Sequence, residues 1–91
     1  MAHNLIVAYQ LRQPATHNAS VQEAIKSLGP WAYFEIWVFY IRSECSAAEA
    51  RDRIWKVMQS GDKLFVAEAL NAAWQGIEKE CSDFILQYWL R

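Results

Sequence analysis

The stretch WAYFEIWVFYIR, Trp31 to Arg42, constrains the fold of this chain more than any other. In extended backbone, successive side chains point to opposite faces. That alternation sets Trp31, Tyr33, Trp37, Phe39 and Ile41 against Ala32, Phe34, Ile36, Val38 and Tyr40, so both faces are apolar. An antiparallel sheet packed on one side usually turns a polar face to water; this one needs two covers. About twelve extended residues are long for one strand of a small domain, so a bent hairpin is expected, with its bend near Glu35 to Trp37.

The flanking segments supply one cover. LIVAYQL, Leu5 to Leu11, alternates Leu5, Val7, Tyr9 and Leu11 against Ile6, Ala8 and Gln10, the pattern of a strand with one fully apolar face. After the polar loop RQPATHNA, the segment SVQEAIKSLG carries a capping-box pair, Ser20 and Glu23. Val21, Ala24, Ile25 and Leu28 follow at helical spacing, and Gly29 is suited to end a helix. SAAEARDRIWKVMQSG repeats that grammar with Ser46 and Glu49, a stripe of Ala47, Ala50, Ile54, Val57 and Met58, and a terminal Gly61. KLFVAEAL, Lys63 to Leu70, reads as a strand. In CSDFILQYWLR, Ser82 is placed to cap a short helix bearing Phe84, Ile85, Tyr88 and Trp89.

Two helices on one face of an antiparallel sheet, joined by right-handed crossovers, bury this order of elements economically. The expected fold is α+β, a ferredoxin-like split βαβ arrangement with a short C-terminal helix, in one domain over residues 1–91. Three candidates remain for the second cover: the C-terminal segment with Trp74, Tyr88 and Trp89, a second copy of the chain, or a foreign protein. The reading adopted is a homodimer through this sheet face or a strand edge, with Trp31, Tyr33, Trp37, Phe39 and Tyr40 as interface residues. Closure of the sheet by the chain's own C-terminal helix is the competing reading.

Charge and motifs narrow the function. Nine basic and ten acidic residues give a formal charge of −1, which excludes the broad basic field that most nucleic-acid binding uses, while leaving room for a local patch. The start has no signal-peptide pattern and no apolar run approaches the roughly 20 residues of a membrane span, so a cytoplasmic protein without membrane association is expected. Cys45 and Cys81 lack a partner pair of cysteines or histidines and read as buried free thiols. His17 and Ser20 lack any indicated oxyanion site, and no phosphate-cradling glycine motif occurs. Catalytic residues, metals and cofactors are therefore expected to be none. RDRIWK sets Arg51, Arg53 and Lys56 on the polar side of a helix around Trp55, a possible nucleic-acid or partner contact; a solvated helix face is the plainer reading. Trp55 lies off its helix's apolar stripe, and is expected either to meet Trp74 under the tail or to anchor an interface.

The run AIKSLGPWAYFEIWVFYIRSECSAAEARDRIWKVMQSGDKLFVAEALNAAWQGI, with the later SDFILQYW, resembles a group of small bacterial proteins labelled SinR-family. Their chains look like the ferredoxin-like small subunit of the CRISPR adaptation integrase. The resemblance rests on the order of elements, the Gly29 to Trp31 junction, SAAEARDRI, GDKLFV and AAWQGI. It implies the ferredoxin-like fold and a phage-defence setting. The family pattern carries an aspartate near the end of the first strand as a metal-site candidate, in Tyr-Asp-Leu; this chain reads Tyr9, Gln10, Leu11. An amide is a poor substitute for a carboxylate as a magnesium ligand. Where the group carries Leu-Asp-Ser, this chain reads Glu35, Ile36, Trp37. The expected function is a non-catalytic, dimeric protein-binding module, an inhibitor or accessory of a nuclease or CRISPR-type complex. The alternatives are a toxin-type ribonuclease of the same fold using Tyr9, His17 or Glu35, and a nucleic-acid-binding protein centred on Arg51, Arg53, Trp55 and Lys56.

Overall fold

A computed structural model describes residues 2–35 and 37–90. Ile36 and the side chain of Phe34, both assigned above to the second sheet face, lie outside the described residues. The elements run β1 (His3–Gln10), α1 (Pro14–Lys26), β2 (Trp31–Glu35), β3 (Val38–Ser43), α2 (Ala47–Trp55), β4 (Lys63–Glu68) and α3 (Lys79–Tyr88). The four strands form one sheet in the order β2-β3-β1-β4, and every neighbouring pair is antiparallel. The protein is thus a small α+β fold with three helices and a four-stranded antiparallel sheet. No helix among the described residues is long and apolar enough to cross a membrane.

The hairpin bends where expected. β2 ends at Glu35, β3 begins at Val38, and the register shifts between Tyr33 and Glu35. Trp37 adopts φ 70°, a left-handed conformation that disfavours bulky side chains. Two contacts hold it there: the Tyr9 N–H donates to its carbonyl at 3.0 Å, and its ring meets Tyr9 edge-on with centroids 5.2 Å apart.

The capping box at Ser46 forms as read, the Ser46 hydroxyl accepting from the Glu49 N–H and the Glu49 carboxylate from the Ser46 N–H. That of Ser20 does not. α1 starts seven residues earlier, with Gln13 rather than Ser20 before it and Pro14 as its first helical residue. Proline suits this position because its ring presets φ and its missing N–H had no helical partner to lose. Ser20 and Glu23 consequently sit inside the helix. Ser82 likewise lies within α3, whose first residue is Lys79; its hydroxyl accepts from the Trp74 indole N–H at 2.9 Å. Gly29 is needed where α1 turns into β2, because a Cβ there would collide with the Arg42 carbonyl while the Arg42 N–H donates to Pro30.

Two apolar layers flank the sheet. On one side Leu5, Val7 and Tyr9 of β1 and Phe39 and Ile41 of β3 pack on Val21, Ile25, Ala50 and Ile54 of the first two helices. Full burial of such side chains contributes roughly 1.5–3 kcal/mol each. On the other side Ala32, Tyr40 and Ile85 are buried, with Ile6, Trp74, Cys81, Phe84, Tyr88 and Trp89 packed against them. The competing reading of the second face therefore describes the molecule: α3 and the residues after it cover Tyr40. Trp89 stacks on Tyr40 with centroids 5.4 Å apart.

Candidate functional site

The five aromatic residues assigned to an interface separate in the structure. Phe39 and Tyr40 are wholly inaccessible, Phe39 facing α1 and α2 and Tyr40 facing α3, so both are core residues. Trp37 is half-buried against the first layer. Trp31 and Tyr33 remain open, at 38% and 41% exposure. They reach the surface because β2 is an edge strand, where their rings are stopped on one side by Phe39. Lys26 lies over the Trp31 ring, 4.4 Å from its centroid.

The backbone of β2 is open as well. The Arg42 N–H bonds the Pro30 carbonyl and the register pairs Ala32 with Tyr40, so alternate residues Pro30 and Ala32 turn their polar groups to β3. Those of Trp31 and Tyr33 then point away from the sheet. Native edge strands usually carry lysine, proline or another interruption against pairing with a further strand; β2 has one only at its end, where Glu35 sits at the register shift, and none from Trp31 to Phe34.

Of the four residues read as a nucleic-acid or partner contact, three come together. Arg51, Trp55 and Lys56 line a cavity of about 550 Å³ with Asp52, Asp62 and Leu64. Arg53 points elsewhere, its guanidinium donating to Cys45 Sγ at 3.1 Å. Arg51 is paired with Asp52 at 2.9 Å, and Trp55 is 44% exposed. Trp55 does not meet Trp74, which belongs to the opposite layer. The cavity's charges balance, two cations against two carboxylates.

Asp62 is a residue that sequence reasoning missed. Its two oxygens accept the Arg12 N–H at 2.8 Å and the Gln59 N–H at 2.7 Å, and these bonds hold its carboxyl below the usual aspartate range. It thereby ties the turn before β4 to the end of β1. At that junction Gln10, Leu11, Arg12, Gly61 and Lys63 line a hollow of about 220 Å³. The signal was present in SGDKL, a turn glycine followed by an acid, but the partner at Arg12 is fifty residues away.

The other chemical candidates resolve individually. Tyr9 is 5% exposed, its hydroxyl donates to Asn18 at 3.0 Å, and burial raises its pKa. His17 lies on α1, its Nδ1 2.7 Å from the Thr16 hydroxyl. Glu35 closes β2. His3 begins β1 and bonds Glu68 through Nδ1 at 2.7 Å. Cys45 and Cys81 are free but half-buried rather than buried, and they pack on opposite sides of the sheet. Among the described residues no group of three or more His, Cys, Asp or Glu is placed to hold a metal ion.

Comparison of the chain with protein-family models, with curated proteins and with solved structures finds no match.

Proposed function

We propose that the chain is a non-catalytic binding protein of ferredoxin-like architecture that acts in the cytoplasm as a homodimer and contacts another protein. The strand order supports that architecture, since β3 lies between the parallel β1 and β2, and β1 between the parallel β3 and β4. The observation that carries the function is the β2 edge, with outward amides and carbonyls at Trp31 and Tyr33, two half-exposed aromatic rings and no charge along the strand before its terminal Glu35. An antiparallel partner strand satisfies such an edge, and aromatic residues set opposite one another across the strands add to it. A second copy supplies both.

A surface remains for the foreign partner. Leu70 and Leu86, 88% and 52% exposed, border a cavity of about 480 Å³ with Trp74 and Trp89. Asn71 lines the same hollow, so a partner side chain with an apolar body and a polar tip would bury Leu70 and Leu86 there. The resemblance to the integrase small subunit suggests a nuclease or CRISPR-type complex as that partner, with this chain as inhibitor or accessory.

Two experiments test the reading. Labelled RNA and DNA incubated with the purified protein, with and without chelator, stay intact; cleavage that disappears in Gln10→Ala or Glu35→Ala protein contradicts a non-catalytic role. Amide exchange at Trp31 and Tyr33 slows as protein concentration rises. Concentration-independent exchange at both contradicts pairing along β2.

A further inference from the structure

The structure assigns a second binding site, at the end of β1 and β4 farthest from the β2 edge: we propose that it takes one nucleotide of a single-stranded nucleic acid, Phe65 stacking the base and Lys63 and Arg12 holding the phosphate. This goes beyond the protein-binding role and does not depend on it.

The register places Ala8 opposite Phe65 and Gln10 opposite Lys63. By strand alternation these four share the face on which Ile6 packs against the α3 layer, but they lie outside that layer's cluster. Phe65 is 66% exposed beside the short side chain of Ala8, and a flat apolar ring left open next to a cation is the arrangement by which proteins stack a base. Two hollows adjoin there, of about 250 and 220 Å³, and both are lined by Gln10 and Lys63.

Arg12 is seated rather than loose. At Gly61, with φ 93°, an added Cβ would stand 3.0 Å from Arg12 Cδ and 3.5 Å from its Nε and Nη1. The glycine thus serves the turn and leaves room for the guanidinium to lie across it. Among the described residues neither Arg12 nor Lys63 enters an ion pair. Asp62 interacts with Arg12 electrostatically, but it is buried and both of its oxygens are occupied by backbone N–H groups.

Gln10 then acquires a use. A carboxylate between two cations would compete with a phosphate for them, whereas a neutral amide leaves them free and offers both a donor and an acceptor to a base edge. The near-zero charge of the whole chain is compatible with a site of this size, because two cations neutralise only one or two phosphates. The cavity at Trp55 is less suited, since Arg51 is already paired with Asp52.

The test is fluorescence anisotropy of a labelled short oligouridylate with the full chain. Binding is expected to weaken as salt rises, and Phe65→Ala to lower affinity about tenfold. Lys63→Gln and Arg12→Gln each weaken binding and flatten its salt dependence, while Arg51→Gln and Lys56→Gln leave it unchanged. All five positions are exposed, and circular dichroism checks that the variants fold. Amide shifts of Ala8, Gln10, Lys63 and Phe65 on titrating the unmutated protein with the same probe give a readout that needs no variant. No binding at low salt, binding indifferent to Phe65→Ala, or competition by inorganic phosphate as strong as by uridine monophosphate overturns the proposal.

Discussion

Asn4 fastens the end of the chain to its first strand. Its side-chain N–H donates to the Leu90 carbonyl at 2.8 Å, and its side-chain oxygen accepts from the Leu90 N–H at 3.0 Å and the Tyr40 hydroxyl at 2.9 Å. Asn4→Ala removes all three bonds and leaves a buried Tyr40 hydroxyl without its partner, so urea unfolding should show a loss of about 1–3 kcal/mol. An unchanged midpoint would mean that the tail is held by packing alone. Asp62 supplies a pH signature. Its folded pKa is depressed, so its contribution is present above the ordinary aspartate value of about 3.9 and disappears as pH falls through the lower folded value. Thermal melts in acid should therefore fall less steeply for Asp62→Asn than for the unmutated protein; parallel curves contradict the assignment. Tyr40 acts at the other extreme: burial raises its pKa, so stability declines once pH rises above about 10, where the unfolded chain ionises first.

The helices show how local signals succeed and fail. Ser46→Ala should cost about 1 kcal/mol, because the hydroxyl caps α2. Ser20→Ala should be neutral or slightly stabilising, because Ser20 is an exposed interior residue of α1 and alanine is the better helix former. Equal losses would restore Ser20 as a cap. Both segments spell the same box, S-x-x-E, and differ only in what precedes it. ATHNA after Pro14 has no residue that breaks a helix, so α1 extends back to the proline; SEC before Ser46 leaves a strand. The hairpin and all four strands were legible because alternation and turn residues are local. The choice among the three candidates for the second cover was not. It depends on Asn4 meeting Leu90 across 86 residues, and on Trp74 meeting Ser82, pairings that no periodicity encodes. For the same reason Arg51, Trp55 and Lys56 were recognised as a helix-face group, whereas the seat of Arg12 over Gly61 emerged only when the ends of β1 and β4 came together.

At the scale of the molecule, the sheet has two edges with different characters. β4 begins with Lys63 and ends with Glu68, charges that discourage a further strand. β2 has a charge at one end only, Glu35, and offers Trp31, Ala32 and Tyr33 before it without interruption. Once α3 closes the second face, this edge is where a second copy gains most, and the opposite end is left free for a ligand. The most direct test is the molar mass in solution, by light scattering behind a sizing column, of the unmutated chain and of Tyr33→Lys across a range of concentrations. Twice the 10.6 kDa chain mass is expected for the former and the single-chain mass for a folded Tyr33→Lys. A strict monomer in the unmutated protein, or a dimer that Tyr33→Lys leaves intact, contradicts pairing along β2.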